Sequence, residues 1–414
     1  MTDITQTPYW QSLSEDAARM AGTRMTSLFE ADSGRSSRYR IESGPIMLDY
    51  SKNLLDDTTL ANLGKLFEAS GLNARREAMF RGEQVNNTEE RAALHTLLRA
   101  RPDDLDPENS ANFTAVTSTL RQMERISSAV RSGEWKGASG KPVRTVIHLG
   151  IGGSYLGPHM VDEALSPYRD SNSPECHYVA NVDGIHIDQV LRQCDPASTL
   201  IIVVSKSFTT LETRLNANAA RSWLLNAIDE GDLHHHLVGV TSNIEAALTY
   251  GIAEENLLPM WDWVGGRYSV WSAVGLPLAI RYGFEAFSEL LSGARAMDQH
   301  FRTAAFPDNL PMMLAGIGVF YHNFMDCASH AVLTYDHTLR LLPDHLQQLD
   351  MESNGKSVDV SGDPVAWQTG PVIWGGEGTN GQHAFHQLLH QGTRLTSLDF
   401  IQPINPHHDR DEQH

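Results

Sequence analysis

The chain has 414 residues, of which 41% are hydrophobic and 20% are charged, a composition typical of globular proteins. This length exceeds one typical core, so two or three domains are expected. The 51 acidic residues outnumber the 32 lysines and arginines and give a net charge of −19, which argues against nucleic acid as a general partner because a phosphate backbone binds a basic face. A local basic site for a small anion remains compatible with this charge.

The three cysteines, Cys176, Cys194 and Cys327, are widely spaced and predict neither a disulfide framework nor a metal site. This usage fits a reducing cytosol. Residues 1–5 lack the basic start of a secretory signal, and no apolar run is long enough to span a bilayer. We therefore predict a cytoplasmic protein with no membrane or nucleic-acid partner.

Residues 1–105 predict a mainly helical segment. Apolar residues recur at helical spacing in 61–67 and in 91–99, whereas 48–53 is typical of a strand or an extended segment. The simplest interpretation of this segment is a helical layer that flanks a sheet domain.

From residue 106 the pattern changes to strands that alternate with helices. Such strands are rich in valine, isoleucine and leucine, which is typical of a mostly parallel sheet buried on both faces. We predict a first α/β domain over 106–290 and a second over 291–414. Ligands of such sheets bind beyond the carboxyl ends of the strands. The apolar runs lie at 145–149, 177–182, 200–204 and 237–241.

The strand predicted at 145–149 runs into a glycine turn, G-I-G-G-S at 150–154. Glycines let the backbone approach a ligand closely, and N–H groups at a helix start bind phosphate. The glycine spacing matches neither the dinucleotide fingerprint nor a Walker loop. We interpret Gly153 and Ser154 as candidate anion ligands, with a tight turn that binds nothing as the alternative.

A second loop follows the strand predicted at 200–204. It carries four hydroxyls and one lysine, and an amphipathic helix is predicted from Leu211 to Ile228. Hydroxyls donate to phosphate oxygens and the lysine supplies a point charge, whereas the alternative is a capping turn. Two such loops at adjacent strand ends favour a phosphate site. The candidate ligands in this loop are Ser205, Lys206, Ser207, Thr209 and Thr210.

Paired glycines precede Arg267 within an aromatic stretch at 260–272. The glycines allow a tight turn that aims a permanent cation, and the surrounding rings exclude water and strengthen its field. The alternative is a surface arginine that packs on tryptophan by a cation–π contact.

Glu352 follows a helical stretch and precedes the turn sequence S-N-G at 353–355. A carboxylate fixed at a helix end in a cleft serves as a general base. The alternative is a solvated loop glutamate, which is the more common environment for an acid.

A strand predicted at 371–374 leads into a glycine-rich loop and His383. We expect His383 to begin a helix that continues to Gln391, where the helix dipole disfavours the protonated imidazole. His383, His386 and His390 then share one helical face. Because they have no carboxylate or thiolate partner, we interpret them as core or interface residues rather than as a zinc site.

The chain resembles the phosphoglucose isomerase (glucose-6-phosphate isomerase) family in motifs that run in the family's order. The resemblance implies an α/β fold of two three-layer sugar-isomerase (SIS) domains with mostly parallel sheets, plus the N-terminal helical segment. It implies no metal ion and no cofactor. The motifs are L-D-Y-S-K-N at 48–53, M-F-R-G-E-Q-V-N-N-T-E-E-R-A-A-L-H at 79–95, H-L-G-I-G-G-S-Y-L-G-P at 148–158, S-K-S-F-T-T-L-E-T at 205–213, V-G-G-R-Y-S-V-W-S-A-V-G-L-P at 264–277, Q-Q-L-D-M-E-S-N-G-K at 347–356 and G-T-N-G-Q-H at 378–383.

The resemblance also implies an enzyme of glycolysis and gluconeogenesis, an isomerase that interconverts glucose 6-phosphate and fructose 6-phosphate through a cis-enediol. Glu352 is then the base, Arg267 stabilises the developing negative oxygen, and Gln348 contacts the substrate. His383 helps to open the sugar ring and reaches the site from the partner subunit of a homodimer. A side activity on mannose 6-phosphate stays open. The phosphate ligands are Gly153, Ser154, Ser205, Lys206, Ser207, Thr209 and Thr210.

Two departures from the family accompany this resemblance. Ser207 stands where the family usually has threonine, which keeps the hydroxyl. Family members also continue past the equivalent of His414 to a motif whose lysine contributes to the active site, and no such motif occurs here. The alternative function is therefore an inactive or impaired sugar-phosphate-binding protein. We expect the stretch 406–414 to be an interior loop left exposed.

Overall fold

The computed structural model of the chain describes residues 3–171 and 173–410. The last four residues of the loop expected at 406–414 lie outside this part, as do the first two residues of the chain.

The chain divides into two compact units, each of which combines separate segments. One unit comprises the chain up to Glu90, 293–336 and 350–402. The other comprises 91–292, 337–349 and the stretch from Pro403 onward. The three-part division predicted from the sequence (1–105, 106–290 and 291–414) stays a prediction.

The described residues form helices and strands throughout both units. The helices are α1 (Pro8–Ala21), α2 (Met25–Ala31), α3 (Arg35–Arg38), α4 (Asp57–Ala69), α5 (Leu72–Arg81), α6 (Ser110–Ser132), α7 (Gly153–Ala164), α8 (Gly184–Leu191), α9 (Leu211–Leu225), α10 (Ile244–Tyr250), α11 (Leu276–Tyr282), α12 (Phe284–Thr303), α13 (Leu310–Phe324), α14 (Leu342–Leu346), α15 (Gly378–Gln382) and α16 (His386–Gln391). The strands are β1 (Arg40–Ser43), β2 (Ile46–Asp49), β3 (Thr145–Leu149), β4 (Glu175–Val179), β5 (Thr199–Val204), β6 (Leu237–Thr241), β7 (Leu257–Pro259), β8 (Ser329–Thr334), β9 (Val372–Glu377) and β10 (Ser397–Ile401).

A five-stranded parallel sheet has the strand order β4-β3-β5-β6-β7. The side chains of β5 alternate between two clusters. Leu200 and Ile202 pack with residues of α6 and α11, whereas Ile201 and Val203 pack with residues of α8, α9 and α10. Helices therefore cover both faces, which explains the unbroken apolar runs in the sequence and confirms the predicted buried parallel sheet.

A second sheet, in the other unit, has three parallel strands in the order β10-β8-β9. Its central strand is buried from Ala331 to Thr334. The outer strands are more open, because Val372 is 55% exposed and Phe400 is 61% exposed. Strands β1 and β2 form a separate antiparallel pair.

The N-terminal helices share a core with α13. Leu13 of α1, Leu63 of α4 and Phe320 of α13 are each 0% exposed and belong to one cluster. The Thr7 hydroxyl caps α1 by accepting from the Trp10 amide at 3.3 Å. The helix predicted over 61–67 lies within α4. Among the described residues, no helix is both long enough and apolar enough to cross a membrane.

The helix predicted over 91–99 is wrong in its first half. Only His95–Arg99 is helical, as a short 3₁₀-helix. The amide of Leu94 donates to the carbonyl of Trp263 at 3.1 Å, so this part of the backbone bonds to another segment instead of to its own helix. A tertiary hydrogen bond has overridden the local spacing.

Candidate active site

The first glycine loop turns from β3 directly into α7. Gly152 has φ +57° and ψ −127°, a backbone conformation that side chains disfavour. A Cβ atom at Gly153 would lie 2.0 Å from the carbonyl carbon of Gly266 and 2.5 Å from the amide nitrogen of Arg267. The small residues therefore let the start of α7 contact the turn that carries Arg267.

Arg267 lies in the 3₁₀-helix Gly266–Trp271 and is half-buried. Its guanidinium carbon is 5.1 Å from the centre of the Tyr268 ring, a cation–π contact with tyrosine and not with the tryptophan that the alternative named. The Arg267 backbone also contacts the first glycine loop. The guanidinium that packs on the Tyr268 ring therefore belongs to a residue that lies next to this loop.

The second loop leaves the sheet beside the first. Leu149 of β3 pairs with Val203 of β5, so the carboxyl ends of the two strands are level. Ser205 follows β5 and is 5% exposed, and its hydroxyl donates to that of Thr210 at 3.2 Å. Thr210 precedes α9, but within the described structure its side chain makes no capping hydrogen bond. The capping alternative is therefore not realised at Thr210.

Two features fix the shape of the second loop. Phe208 has φ +58°, a left-handed conformation that costs a non-glycine residue about 1 kcal/mol or more. Its ring is buried and packs 5.6 Å from the Tyr250 ring of α10. The Ser242 hydroxyl and amide donate to the Lys206 carbonyl at 2.6 and 2.9 Å, and the Asn243 side chain donates to the Ser207 carbonyl at 3.1 Å. The chain thus holds the hydroxyls in one arrangement.

The ammonium group of Lys206 is held by the segment that leads to Arg267. Its Nζ lies 3.3 Å from a carboxylate oxygen of Asp262 and donates to the carbonyls of Asp262 and Val264 at 3.2 and 3.5 Å. The sequence pattern did not point to Asp262. Its position between two tryptophans, just before a pair of glycines, was the sequence signal that could have identified it.

Gln348 contacts the first glycine loop. A Cβ atom at Gly152 would lie 3.0 Å from Nε2 of Gln348. The Oε1 atom of Gln348 is buried and has no hydrogen-bond partner among the described residues, which marks it as an acceptor available to a ligand. Gln348 lies in a π-helix, Gln347–Glu352, a form that is frequent at functional sites. Apolar spacing does not predict this form.

The candidate site residues fall into two groups. Glu352 and His383 belong to the unit that contains the three-stranded sheet. All the other candidates belong to the unit that contains the five-stranded sheet. They are Gly153, Ser154, Ser205, Lys206, Ser207, Thr209, Thr210, Arg267 and Gln348.

Glu352 is the last residue of the π-helix and is exposed. The Lys356 side chain donates to the Glu352 carbonyl at 2.8 Å, and the Gly355 amide donates to the Met351 carbonyl at 2.8 Å. These bonds close the turn after Glu352. The carboxylate therefore stands close to a helix end, as the turn sequence predicts.

The prediction that His383 begins a helix is wrong. His383 caps the carboxyl end of α15, and its amide donates to the Asn380 carbonyl at 3.0 Å. The next helix begins only at His386. Between the two helices the Phe385 backbone leaves the helical conformation at φ −129°, and its ring packs on Gly381, where a Cβ atom would lie 2.6 Å from it. The helix-dipole argument for this imidazole therefore does not apply.

The nearby histidines do not form a metal site with His383. The rings of His386 and His390 are 6.1 Å apart. His386 is buried, as expected of a core residue, whereas His383 and His390 are exposed. Within the described ranges, no group of three or more histidine, cysteine or acidic residues is placed to hold a metal ion.

His148 lies directly behind the first glycine loop and is 0% exposed. Burial lowers the pKa of His148 to about 4, because a charged ring loses its hydration there. Its Nε2 atom lies 2.6 Å from the carbonyl oxygen of Ser154. A histidine between the apolar residues Ile147 and Leu149 was the sequence signal, and it was missed.

Comparison with known proteins places the chain among sugar-phosphate isomerases. Residues 49–414 match the sequence model of the family described as phosphoglucose isomerase. A glucose-6-phosphate isomerase of Marinomonas sp. is 49% identical over 417 residues, which cover 100% of this chain and 76% of that protein. That of Hahella chejuensis is 50% identical over 407 residues, which cover 96% of this chain and 72% of that protein.

A solved structure agrees with these relatives. The crystal structure of a glucose-6-phosphate isomerase from Chlamydia trachomatis matches with a TM-score of 0.86 at 31% identity, over 96% of this chain and 76% of that one. This similarity confirms the predicted α/β fold with SIS-type domains and parallel sheets. On these matches, the chain belongs to the phosphoglucose isomerase family.

Proposed function

We propose that this chain is an isomerase that interconverts glucose 6-phosphate and fructose 6-phosphate. The observation that carries the proposal is the contact between the Gly153 turn and the Gly266–Arg267 turn, which joins a phosphate loop to a cation. Relatives that are 49% and 50% identical and are named glucose-6-phosphate isomerase support the same reaction.

The substrate phosphate binds between the two loops at the carboxyl end of the five-stranded sheet. The Gly153 amide at the start of α7 and the Ser154 hydroxyl donate to its oxygens, since a helix start attracts an anion. The second loop adds the hydroxyls at 205–210, and Lys206 adds a positive charge. Family resemblance supports these assignments.

The reaction moves one proton between neighbouring carbons and needs no external oxidant. The Glu352 carboxylate removes the proton from C2 of the open aldose, and the C–H electron pair forms the C1–C2 double bond of a cis-enediol as O1 takes up a proton. Return of a proton to C1 and loss of the O2 proton give the ketose. Arg267 stabilises the negative oxygen, Gln348 contacts the substrate, and His383 helps to open the ring.

Substitution of the base is the direct test of this proposal. Glu352→Gln keeps the size of the side chain but removes the proton acceptor, so kcat for fructose 6-phosphate is expected to fall by roughly 10³-fold. Protection from thermal unfolding by fructose 6-phosphate is expected to persist. Asp350→Asn, a change to a neighbouring acid of the same helix, is the matched control and is expected to keep turnover. Full turnover by Glu352→Gln would refute the assignment of the base.

The same assay separates the alternative function. An inactive sugar-phosphate-binding protein would show thermal protection by fructose 6-phosphate but no turnover in the unmodified chain. Competition between fructose 6-phosphate and mannose 6-phosphate measures whether the second sugar also reacts.

The proposed assembly is a cytoplasmic homodimer in which His383 reaches the site of the partner subunit. Mixing two inactive variants, Glu352→Gln and His383→Ala, tests this arrangement. If each site takes Glu352 from one subunit and His383 from the other, every mixed dimer contains one intact site, and random mixing restores about a quarter of the activity. If both residues come from one subunit, mixing restores nothing.

A further inference from the structure

Helix α7 contains a proline where its first turn needs a donor. In an α-helix the amide of residue i donates to the carbonyl of residue i−4. Pro158 lies inside α7 and has no N–H group. The carbonyl of Ser154 therefore lacks its ordinary helical donor, and it belongs to a residue that the proposed function assigns to phosphate binding.

His148 of β3 supplies the missing donor. The distance from its Nε2 atom to the Ser154 carbonyl oxygen is 2.6 Å. A carbonyl oxygen only accepts hydrogen bonds, so the ring must carry its proton on Nε2 and donate it. The Nδ1 atom is buried and has no partner among the described residues, which fits a neutral ring in this single tautomer.

The surroundings of His148 hold the ring in place. The Tyr178 ring lies 5.4 Å from it on one side and stacks on the His159 ring at 5.1 Å. A Cβ atom at Gly150 would lie 2.8 Å from the Ser154 carbonyl oxygen. The glycine turn thus encloses the carbonyl, and the imidazole of His148 reaches it.

We propose that His148 is a positioning residue for the substrate phosphate: it replaces the donor that Pro158 removes and thereby fixes the first turn of α7. This inference rests on the proposed function, because the phosphate contacts of Gly153 and Ser154 are themselves proposed. His148 acts through the Ser154 backbone and touches no substrate atom. Its loss therefore weakens phosphate binding more than it slows the chemical step.

A double-mutant cycle tests the exchange of donors. His148→Leu removes the donor and is expected to raise KM for fructose 6-phosphate, and the inhibition constant of inorganic phosphate, by about tenfold, with kcat changed less than about threefold. Pro158→Ala restores an N–H group at the position that bonds the Ser154 carbonyl. In the Pro158→Ala background, His148→Leu is expected to raise KM less than about threefold.

Two further variants exclude a purely structural explanation. Val146→Ala lies on the same strand and is also 0% exposed, so it weakens the core without touching the Ser154 carbonyl and is expected to leave KM unchanged. His148→Gln, which keeps an N–H donor, is expected to recover part of the loss.

The outcomes separate this inference from the proposed function. A tenfold increase in KM that is equal in both backgrounds would refute the exchange of donors, and so would a loss of stability in His148→Leu with KM unchanged. If the unmodified chain binds phosphate without turnover, the isomerase proposal fails. In that case the dissociation constant of inorganic phosphate, measured by calorimetry across the same cycle, still confirms or refutes the role of His148.

Discussion

The two parallel sheets of this chain differ in how completely their strands are buried. Every residue of β5 is buried, and its side chains alternate between two clusters that cover opposite faces. In the three-stranded sheet, Val372 and Phe400 remain more than half exposed, at 55% and 61%. Strand ends that emerge from a sheet covered on both faces have less freedom to move.

This difference parallels the division of the candidate site. The proposed phosphate ligands follow β3 and β5, whereas Glu352 ends a π-helix and His383 follows a five-residue helix. Regular, fully buried helices and strands position side chains more precisely than short irregular segments do. We therefore expect binding in the first region to depend on the backbone contacts at the ends of β3 and β5, and chemistry in the second region to depend on local turns.

The contrast between the two sheets would be refuted if substitution of a large side chain by alanine cost equal stability in both. Leu200→Ala in β5 leaves a cavity at a position that is 0% exposed and is expected to lower the free energy of unfolding by about 4 kcal/mol. Phe400→Ala in β10 is expected to lower it by less than about 1 kcal/mol, because water already covers most of this ring. Guanidinium unfolding of both variants measures the difference, and similar losses would refute the contrast.

Low pH is expected to destabilise the five-stranded sheet, because this sheet contains a buried histidine. The pKa of His148 is about 4 in the folded chain and about 6.5 when unfolded. The unfolded chain therefore takes up the proton first, and stability falls as the pH drops from about 6.5 to 4. The loss is about 3 kcal/mol from this group.

This acid effect is measured against His148→Leu, which retains the other histidines and lacks this one. Unfolding at several pH values should show that the advantage of the original chain over His148→Leu shrinks by that amount towards pH 4. An advantage that stays constant with pH would contradict the burial of this ring.

Close backbone contact distinguishes Gly153 from Gly184, and this pair of glycines tests its importance. Gly153 and Gly184 each begin a helix that follows a strand of the same sheet. Gly153→Ala is expected to cost about 2 kcal/mol and to raise KM more than tenfold, since its Cβ would overlap the Gly266 backbone. Gly184→Ala meets no atom within 4 Å and should change neither stability nor KM, as denaturation and kinetics would report.

The smallest expected effect concerns the charge that holds Lys206. Asp262 is 65% exposed at the side chain, and an exposed ion pair contributes at most about 1 kcal/mol. Asp262→Asn frees the ammonium from this pair and is expected to change KM for fructose 6-phosphate by less than about fivefold, with kcat unchanged. The effect should shrink further in high salt. A large fall in kcat would instead place Asp262 in the chemical step.

Much of the fold could be predicted from the chain because burial on both faces leaves a clear pattern. The runs at 145–149 and 237–241 coincide with β3 and β6. The segment at 91–99 could not be read this way, since the Leu94 amide bonds to a carbonyl distant in sequence. Periodicity reports which side chains are buried but not which segment supplies a backbone partner.

The candidate site was predictable where a loop follows a strand. Glycine and hydroxyl residues predicted both phosphate loops, but no such signal predicted that α15 ends before His383. His148 was missed for a related reason: its role depends on Pro158, ten positions away, and on the missing amide there. A pair such as His148 and Pro158 is recognised only in the structure, where the hydrogen-bond partner of each backbone carbonyl can be identified.

The interleaving of the two units sets an order for synthesis. Strands β3 to β7 come from one continuous stretch, so the five-stranded sheet can pair as soon as that stretch leaves the ribosome. Leu13 and Leu63, by contrast, wait for Phe320 of α13. Phe320 follows Leu63 by about 250 residues, or roughly 10–50 s at 5–20 residues per second. During this interval the apolar side chains that α1 and α4 later pack against α13 stay uncovered, and such exposed surface favours aggregation.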